Sequence, residues 1–299
     1  RYGERWGRHW LDVARYADSN GLDENLAYGN AFRYRDYVVA AFNKDKPYNQ
    51  FVREQLAGDL LDQVTPETVI ATGFYRLGIW DDEPVDHTQA LYDDLDDILT
   101  TTSQVFLGLT VNCARCHDHK LDPIPQRDYY RLLAFFGGVT RYGVRSPESV
   151  AERSLRPLHP GSPKSKDAPM VLCVTEIGSQ ARPTHVLARG NAHARAEPVT
   201  PGFPSVLGAA DPKLLAVAPE AKTCGRRTVL AKWVGSPRNR LTARVMANRI
   251  WQYHFGRGIV KSPNDFGLHG TPPTHPQLLD RLACELIRSE WRLKTLHRM

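Results

Sequence analysis

The stretch that decides the fold is CARCH at residues 113–117, followed directly by DHKLDP at residues 118–123. Two cysteines separated by two residues and followed by histidine form the attachment signature of c-type haem. Each thiol would form a thioether bond with one haem vinyl group, and the histidine would ligate the iron. The motif therefore predicts one covalently attached haem c, anchored by Cys113 and Cys116, with His117 as its proximal iron ligand.

The same residues fit two other chemistries. A zinc site would use Cys113, Cys116, His117 and His119. Structural zinc sites usually take two close pairs of ligands that lie far apart in the sequence, and no second CxxC follows here. The remaining alternative is a pair of buried thiols or a local disulfide.

The composition is that of a globular protein. The chain has 299 residues, of which 41% are hydrophobic and 24% are charged, enough for one large domain or two of ordinary size. No apolar run approaches the length of a membrane span, so we expect no transmembrane segment. The chain begins at Arg1 inside a helical pattern, and we expect it to be a piece of a longer protein.

The net charge of +6 comes mostly from scattered arginines. Because nucleic-acid affinity needs clustered cations and no run of five basic residues occurs, we expect no nucleic-acid partner. A redox partner protein with an acidic face, or an acidic polysaccharide, would suit this charge.

Hydrophobic periodicity predicts a mainly α fold. Trp6 and Trp10 begin an apolar stripe on a helix that should run from Tyr2 to Asp18, and two tryptophans on one stripe are typical of a core. Two strand-like runs, residues 170–174 and 184–187, should form a small hairpin or sheet. We predict three segments: a helical haem domain at 1–138, a linker with a small β segment at 139–221, and a helical C-terminal domain, truncated at its end, at 222–299.

Four carboxylates, those of Asp93, Asp94, Asp96 and Asp97, could bind calcium, but their spacing is not that of an EF-hand loop. A solvated helix face with salt bridges is the favoured interpretation. Of the other three cysteines, Cys173, Cys224 and Cys284, two could form a disulfide in an oxidising compartment, leaving one over. The favoured interpretation is that some of them are small buried residues, with Cys284 on the inner face of a helix.

Longer matches to a known family surround the haem motif. The first segment resembles the cytochrome c-like domain of large planctomycete surface proteins, and the last resembles the companion domain that follows it there. The matching residues are 2–6, 9–12, 14–18, 49–51, 71–74, 104–111, Cys113, 116–120, 122–123, 241–245, 248–251, 255–258, 264–267 and 272–276. The resemblance implies haem c and a periplasmic or cell-surface location. Family members often carry more sequence between the two domains than residues 139–181 supply here.

The leading hypothesis is a monohaem electron-transfer protein. Asp118, His119, Lys120 and Asp122 would orient the proximal ligand or contact the haem propionates. His119 lies too close in sequence to His117 to reach the other face of the iron. The candidates for the sixth ligand are Met246, His9, His87, His254, His269 and His275.

Other function classes stay open at this point. An unfilled sixth position would allow peroxidase or oxidase chemistry. A polysaccharide-acting enzyme with an accessory haem could use acids such as Asp81, Asp82 and Glu83 together with Asp265, although nothing positions them as an acid/base pair. A structural surface module, in which haem only stabilises the fold, is the third alternative.

Overall fold

Helices dominate the part of the chain that the computed structural model describes, which comprises residues 1–22, 25–81, 83–140, 155–159 and 169–299. Within it the fold is mainly α with short strands, in agreement with the predicted fold class. The helices are α1 Tyr2–Val13, α2 Phe32–Asn43, α3 Tyr48–Ala57, α4 Pro66–Ala71, α5 His87–Thr102, α6 Gln126–Leu133, α7 Arg226–Val234, α8 Arg240–Phe255, α9 Pro276–Arg288 and α10 Leu293–Arg298. The strands are β1 Val139–Thr140, β2 Leu155–Pro157, β3 Met170–Leu172, β4 Thr175–Glu176, β5 Thr184–Leu187 and β6 Arg195–Val199.

The strands form three separate antiparallel pairs, β1 with β4, β2 with β3, and β5 with β6. The two runs predicted to be strands are strands, but they do not pair with each other, so the predicted hairpin is wrong. β3 pairs with Leu155–Pro157 and β5 pairs with Arg195–Val199. Both partners contain proline and charged residues, and neither has the apolar alternation by which a strand is recognised. Most of residues 139–169, expected to be a linker or loop, lie outside the described residues.

Helix α1 ends at Val13, earlier than the predicted Asp18. The cause is Arg15, which adopts a left-handed conformation with φ 55° and cannot continue a right-handed helix. Its guanidinium then pairs with Asp97 on α5 at 2.6 Å. A contact between distant segments therefore coincides with the end of the helix.

The two tryptophans of α1 lie in the core, as their stripe predicts. Trp10 packs edge-on against Phe51 with ring centroids 4.8 Å apart and donates from Nε1 to the hydroxyl of Tyr34 at 3.0 Å. Trp6 lies 4.2 Å from the ring of His297 on α10. Both indoles therefore pack against protein side chains, and the first helix is joined to the last.

One buried ion network connects all three predicted segments. The guanidinium of Arg227 on α7 binds both carboxylate oxygens of Asp59, at 2.8 and 2.9 Å, and its Nε donates to Glu176 in β4. Such a network favours one arrangement of the three side chains, because removing any member leaves a buried charge without its partner. The division into three segments stays a prediction, but residues from Trp6 to Leu296 share one continuous hydrophobic core.

No helix in the described residues is both long enough and apolar enough to cross a membrane.

Candidate functional site

The turn that leads to CARCH is fixed by a close approach of the C-terminal segment. Helix α5 continues into a π-helical turn, Ser103–Leu107, which ends at Gly108 with φ +60°. A Cβ at Gly108 would lie 2.7 Å from the ring of Phe266, and the Gly108 carbonyl accepts from the Phe266 N–H at 2.7 Å. Only glycine satisfies both the backbone conformation and this contact.

The motif itself begins in a single 3-10 turn, Asn112–Arg115. Side chains of α6 form hydrogen bonds with this turn. The carbonyl of Arg115 accepts from Gln126 Nε2 at 2.9 Å and from the Tyr130 hydroxyl at 2.8 Å. The Arg115 guanidinium pairs with Asp93 on α5 at 2.6 Å. These bonds fix the backbone between the two cysteines from two helices.

The two thiols of the motif are exposed and unbonded, whereas Ala114 between them is buried. Cys173 and Cys224 are buried as predicted, and burial raises the pKa of the Cys173 thiol to about 11. The prediction for Cys284 is wrong, because this residue is exposed. The buried stripe of α9 is Leu279, Ala283 and Leu286, one position away from the cysteine.

His117 is exposed and its tautomer follows from its hydrogen bond. Nδ1 lies 2.6 Å from the backbone carbonyl oxygen of Asp118. Because a carbonyl can only accept, Nδ1 carries a proton, and in the neutral ring Nε2 therefore keeps the free lone pair. This is the arrangement of a metal-ligating histidine, whose other ring nitrogen donates to a backbone carbonyl.

His119 has the opposite tautomer. Its Nδ1 accepts from the backbone N–H groups of Asp122 at 2.8 Å and Leu121 at 3.3 Å, so the proton lies on Nε2. Its side chain is only 5% exposed. Among the described residues no three His, Cys, Asp or Glu side chains cluster as a metal site. The zinc alternative, which needs His119 beside the other three ligands, finds no support in this geometry.

The other residues expected around the proximal ligand have different partners. Asp118 contacts His117 through its carbonyl, and its side chain accepts from the Gln126 N–H at 2.8 Å, at the start of α6. Lys120 is exposed. Asp122 is buried, and its Oδ1 accepts from the N–H of Leu268 at 2.5 Å. Asp118 therefore positions His117, whereas Asp122 joins the motif to the C-terminal segment.

A turn of the middle segment packs directly on Cys116, a contact that the sequence does not predict. A Cβ at Gly190 would lie 2.8 Å from the Cys116 sulfur, and Gly190 has φ +73°. The same turn carries His193, whose Nε2 lies 2.7 Å from Asp86 Oδ2 at the start of α5. Glycine beside asparagine at residues 190–191 is a turn signal, but nothing in it indicates a contact with residue 116.

Three of the four acidic residues considered for calcium lie close to arginines. Asp93 pairs with Arg115, and Asp97 pairs with Arg15, each at 2.6 Å. Asp96 lies 3.6 Å from Arg115, and burial raises the pKa of its carboxyl group. These contacts agree with the helix-face interpretation; calcium binding stays a prediction.

The acids considered for a polysaccharide-acting enzyme have separate hydrogen-bond partners. Asp81 accepts from the backbone N–H of Glu83 at 2.9 Å and lines a cavity of about 340 Å³ in front of α5. Asp265 is buried in the loop after α8, where it binds the N–H of Gly267 and the ring of His269, both at 3.0 Å. Asp82 lies outside the described residues.

The candidates for a sixth ligand are scattered over the fold. Met246 is in the core, and His9 stacks on Tyr253 at 3.6 Å. The only one of these candidates that the described contacts place beside the motif's loop is His269, which follows Leu268, the residue bound to Asp122. The other three, His87, His254 and His275, are exposed; His254 contacts His297, and His275 contacts Thr274.

The donor set of the motif fits haem c better than it fits zinc. Two exposed thiols stand on one fixed turn, and the next residue uses Nδ1 for a hydrogen bond and so leaves Nε2 available as a ligand. These are the groups that thioether formation and proximal ligation require.

Two family models match the chain, one at each end. Residues 1–141 match the family PSCyt2, described as a protein of unknown function (DUF1549), and residues 226–299 match PSD1, described as a protein of unknown function (DUF1553). No curated protein and no solved structure matches the chain. The two ends of the chain are thus similar to the planctomycete cytochrome c-like and surface domain families, consistent with the resemblance found in the sequence.

Proposed function

We propose that this protein is a monohaem c-type electron-transfer protein of the periplasm or cell surface. Cys113 and Cys116 would hold the haem, and His117 would be its proximal ligand. When bound, the haem supplies one-electron redox chemistry. The protein contributes the attachment points, the orientation of the imidazole and the charge of the surrounding surface.

The observation that carries the proposal is the hydrogen bond from His117 Nδ1 to the Asp118 carbonyl. It directs the lone pair of Nε2 away from the backbone and fixes the ring. Asp118 is itself fixed, because its side chain accepts from the first N–H of α6. The ligand would therefore be preorganised by residues of this chain before any haem is attached.

The chemistry of attachment and the family similarity support the proposed location. Haem c is attached outside the cytoplasm, and the C-terminal segment is similar to a planctomycete surface domain. The motif's thiols and imidazole are exposed, so a redox partner could approach them from solvent. The net charge of +6 would favour a partner with an acidic face.

The test is expression of the chain in a periplasm that has haem c attachment machinery, followed by denaturing electrophoresis with a haem stain. We expect a covalent haem band, which is lost in the Cys113→Ser/Cys116→Ser variant. Cys284→Ser is the matched control, because Cys284 is also exposed but lies outside the motif. Absence of a haem band from the unmodified chain would overturn the proposal.

Absorption spectra and reactivity test two points, the identity of the iron ligand and the function of the haem. His117→Ala should change the absorption spectrum of any haem that remains attached, whereas His87→Ala, a change of another exposed histidine, should not. Reversible reduction without cyanide binding supports electron transfer. Cyanide binding together with peroxidase turnover would favour an enzyme, and a haem that is needed for folding but cannot be reduced would favour a structural module.

A further inference from the structure

A wide cleft lies between the middle and C-terminal segments. Its volume is about 1170 Å³, and it is bounded by residues 203–212, helix α7, the first turn of α8, the loop after Val260 and the start of α9. This is above the range of about 300–1,000 Å³ that is typical for small-molecule sites. The cleft can therefore accommodate an extended ligand of several units.

The charge of the cleft is strongly positive. Lys232, Arg238 and Arg240 line it with exposed side chains, and among the residues that the structure describes none of the three has an acidic partner. The fourth cation, Arg244, pairs with Asp280 at 2.6 Å. Cations that the fold itself leaves unpaired favour an anionic ligand.

One of the residues that line the cleft, Asn239, has a buried polar group without a partner in the part of the chain that the structure describes. Asn239 precedes α8, is 5% exposed, and uses Oδ1 to accept from the Leu241 N–H at 3.0 Å. Its Nδ2 is buried and has no hydrogen-bond partner among the described residues. An unpaired buried donor costs free energy unless a ligand satisfies it. It stands at the positive end of a 16-residue helix, which favours an anionic acceptor.

An aromatic stack ends at the cleft wall. Phe203 stacks on Phe135 at 5.4 Å and on Trp233 at 4.2 Å, and the outer ring, Trp233, is half-buried. The apolar C–H face of a sugar ring packs on such a surface, while its hydroxyl groups bind polar side chains at the edge. Ser236 and Thr271, which also line the cleft, offer hydroxyl groups for such bonds.

We propose that this cleft binds an anionic oligosaccharide, with its acidic groups at Asn239, Arg238 and Arg240 and a sugar ring on Trp233. The proposal is independent of haem attachment. An extended acidic peptide fits less well, because peptides commonly bind by adding to a strand edge. None of the described residues that line the cleft belongs to a strand.

The test is titration calorimetry of the full chain with three probes: size-fractionated dextran sulfate, oligogalacturonate and neutral dextran oligosaccharides. We expect at least one anionic probe to bind and neutral dextran not to bind. Preference between the first two distinguishes sulfated from carboxylated sugars. An oligoglutamate peptide that binds as tightly as the better glycan would overturn the assignment to sugars.

Two single variants locate the site without removing the fold. Asn239→Ser retains a side chain that caps α8 but lacks the free amide donor, and Trp233→Leu removes the aromatic platform. Each should weaken binding of the anionic probe about tenfold or more, as expected for the loss of one hydrogen bond to a charged group or of one ring contact. Thermal melting checks that each variant is folded. Unchanged affinity in both folded variants would overturn the proposal.

Two double variants distinguish binding in the cleft from a response to the overall net charge. Arg238→Gln/Arg240→Gln removes two charges from the cleft, and Arg5→Gln/Arg8→Gln removes two exposed charges from α1. We expect a large loss of affinity only for the first. Equal losses would mean that the probe responds to overall charge, which would contradict a site in the cleft.

Discussion

Arg249 on α8 donates from Nη2 to the backbone carbonyl of Gln104 at 2.9 Å, in the turn that leads to the CxxCH motif. The same guanidinium donates to the carbonyl of Val105 and, at 2.9 Å, to Oδ1 of Asn264. Arg249 is buried, and burial lowers the pKa of its guanidinium. One side chain of the C-terminal segment thus holds the backbone that precedes Cys113.

Replacing Arg249 should destabilise the fold. Arg249→Met would leave two carbonyls and an amide oxygen without their donor, and we expect a loss of about 2–4 kcal/mol in the free energy of unfolding. Chemical denaturation measures it. Arg244→Met is the control on the same helix; its partially exposed pair with Asp280 should be worth less than about 1 kcal/mol. Equal losses would contradict the role assigned to Arg249.

Gly267 and Asp122 should show coupled effects on stability. A Cβ at Gly267 would overlap both carboxylate oxygens of Asp122, so Gly267→Ala should cost about 1–3 kcal/mol. In the Asp122→Ala background the same change should cost much less, because the overlapping oxygens are gone. Gly29→Ala, which places a Cβ in open space, is the control. Additive losses in the double variant would show that the two residues do not interact.

The contact between the Gly190 turn and Cys116 can be tested by the reactivity of the Cys116 thiol. Gly190→Ala should strain a residue with φ +73° and push the turn away from the sulfur, so alkylation of Cys116 should become faster relative to that of Cys113. Mass spectrometry after a short maleimide pulse measures the ratio.

Gly208→Ala separates backbone strain from contact. Gly208 has φ +62° but no neighbour where its Cβ would be. Gly208→Ala should therefore lower the free energy of unfolding by about 1 kcal/mol without changing the reactivity of Cys116. A changed ratio in Gly208→Ala, or an unchanged one in Gly190→Ala, would contradict the contact.

The lowered pKa of His297 predicts a loss of stability in mild acid. Burial and the nearby His254 lower the pKa of His297 from 6.5 to about 4. The unfolded chain therefore binds this proton more readily than the folded chain. The stabilisation is fully present above about pH 6.5 and is lost as the pH falls towards about 4. Melting temperatures at several pH values should decline over this window.

The variant His297→Gln should flatten that decline, because it removes the titrating group. His87→Gln, a change of an exposed histidine, should leave the slope as it is. If the pH dependence of His297→Gln equals that of the unmodified chain, another group causes it.

The presence of helices could largely be predicted, because its causes are local, but the end of α1 could not. The capping box at Thr65 and the proline that follows it start α4, and both signals can be read in the sequence. The stripe of Trp6 and Trp10 identifies a buried face, which the structure confirms. The pairing of the strands could not be predicted, since β2 and β6 carry no periodic signal and are stabilised by what they pack against.

The sequence by itself determined the mainly α fold and the CxxCH motif, whose meaning lies in residue type and spacing. Only the tertiary structure decided how that motif is held. The opposite tautomers of His117 and His119 depend on which backbone groups each ring meets. The contacts of Gly190 with Cys116 and of Leu268 with Asp122 join residues far apart in the chain. No local preference encodes such contacts, because they form only when the whole core assembles.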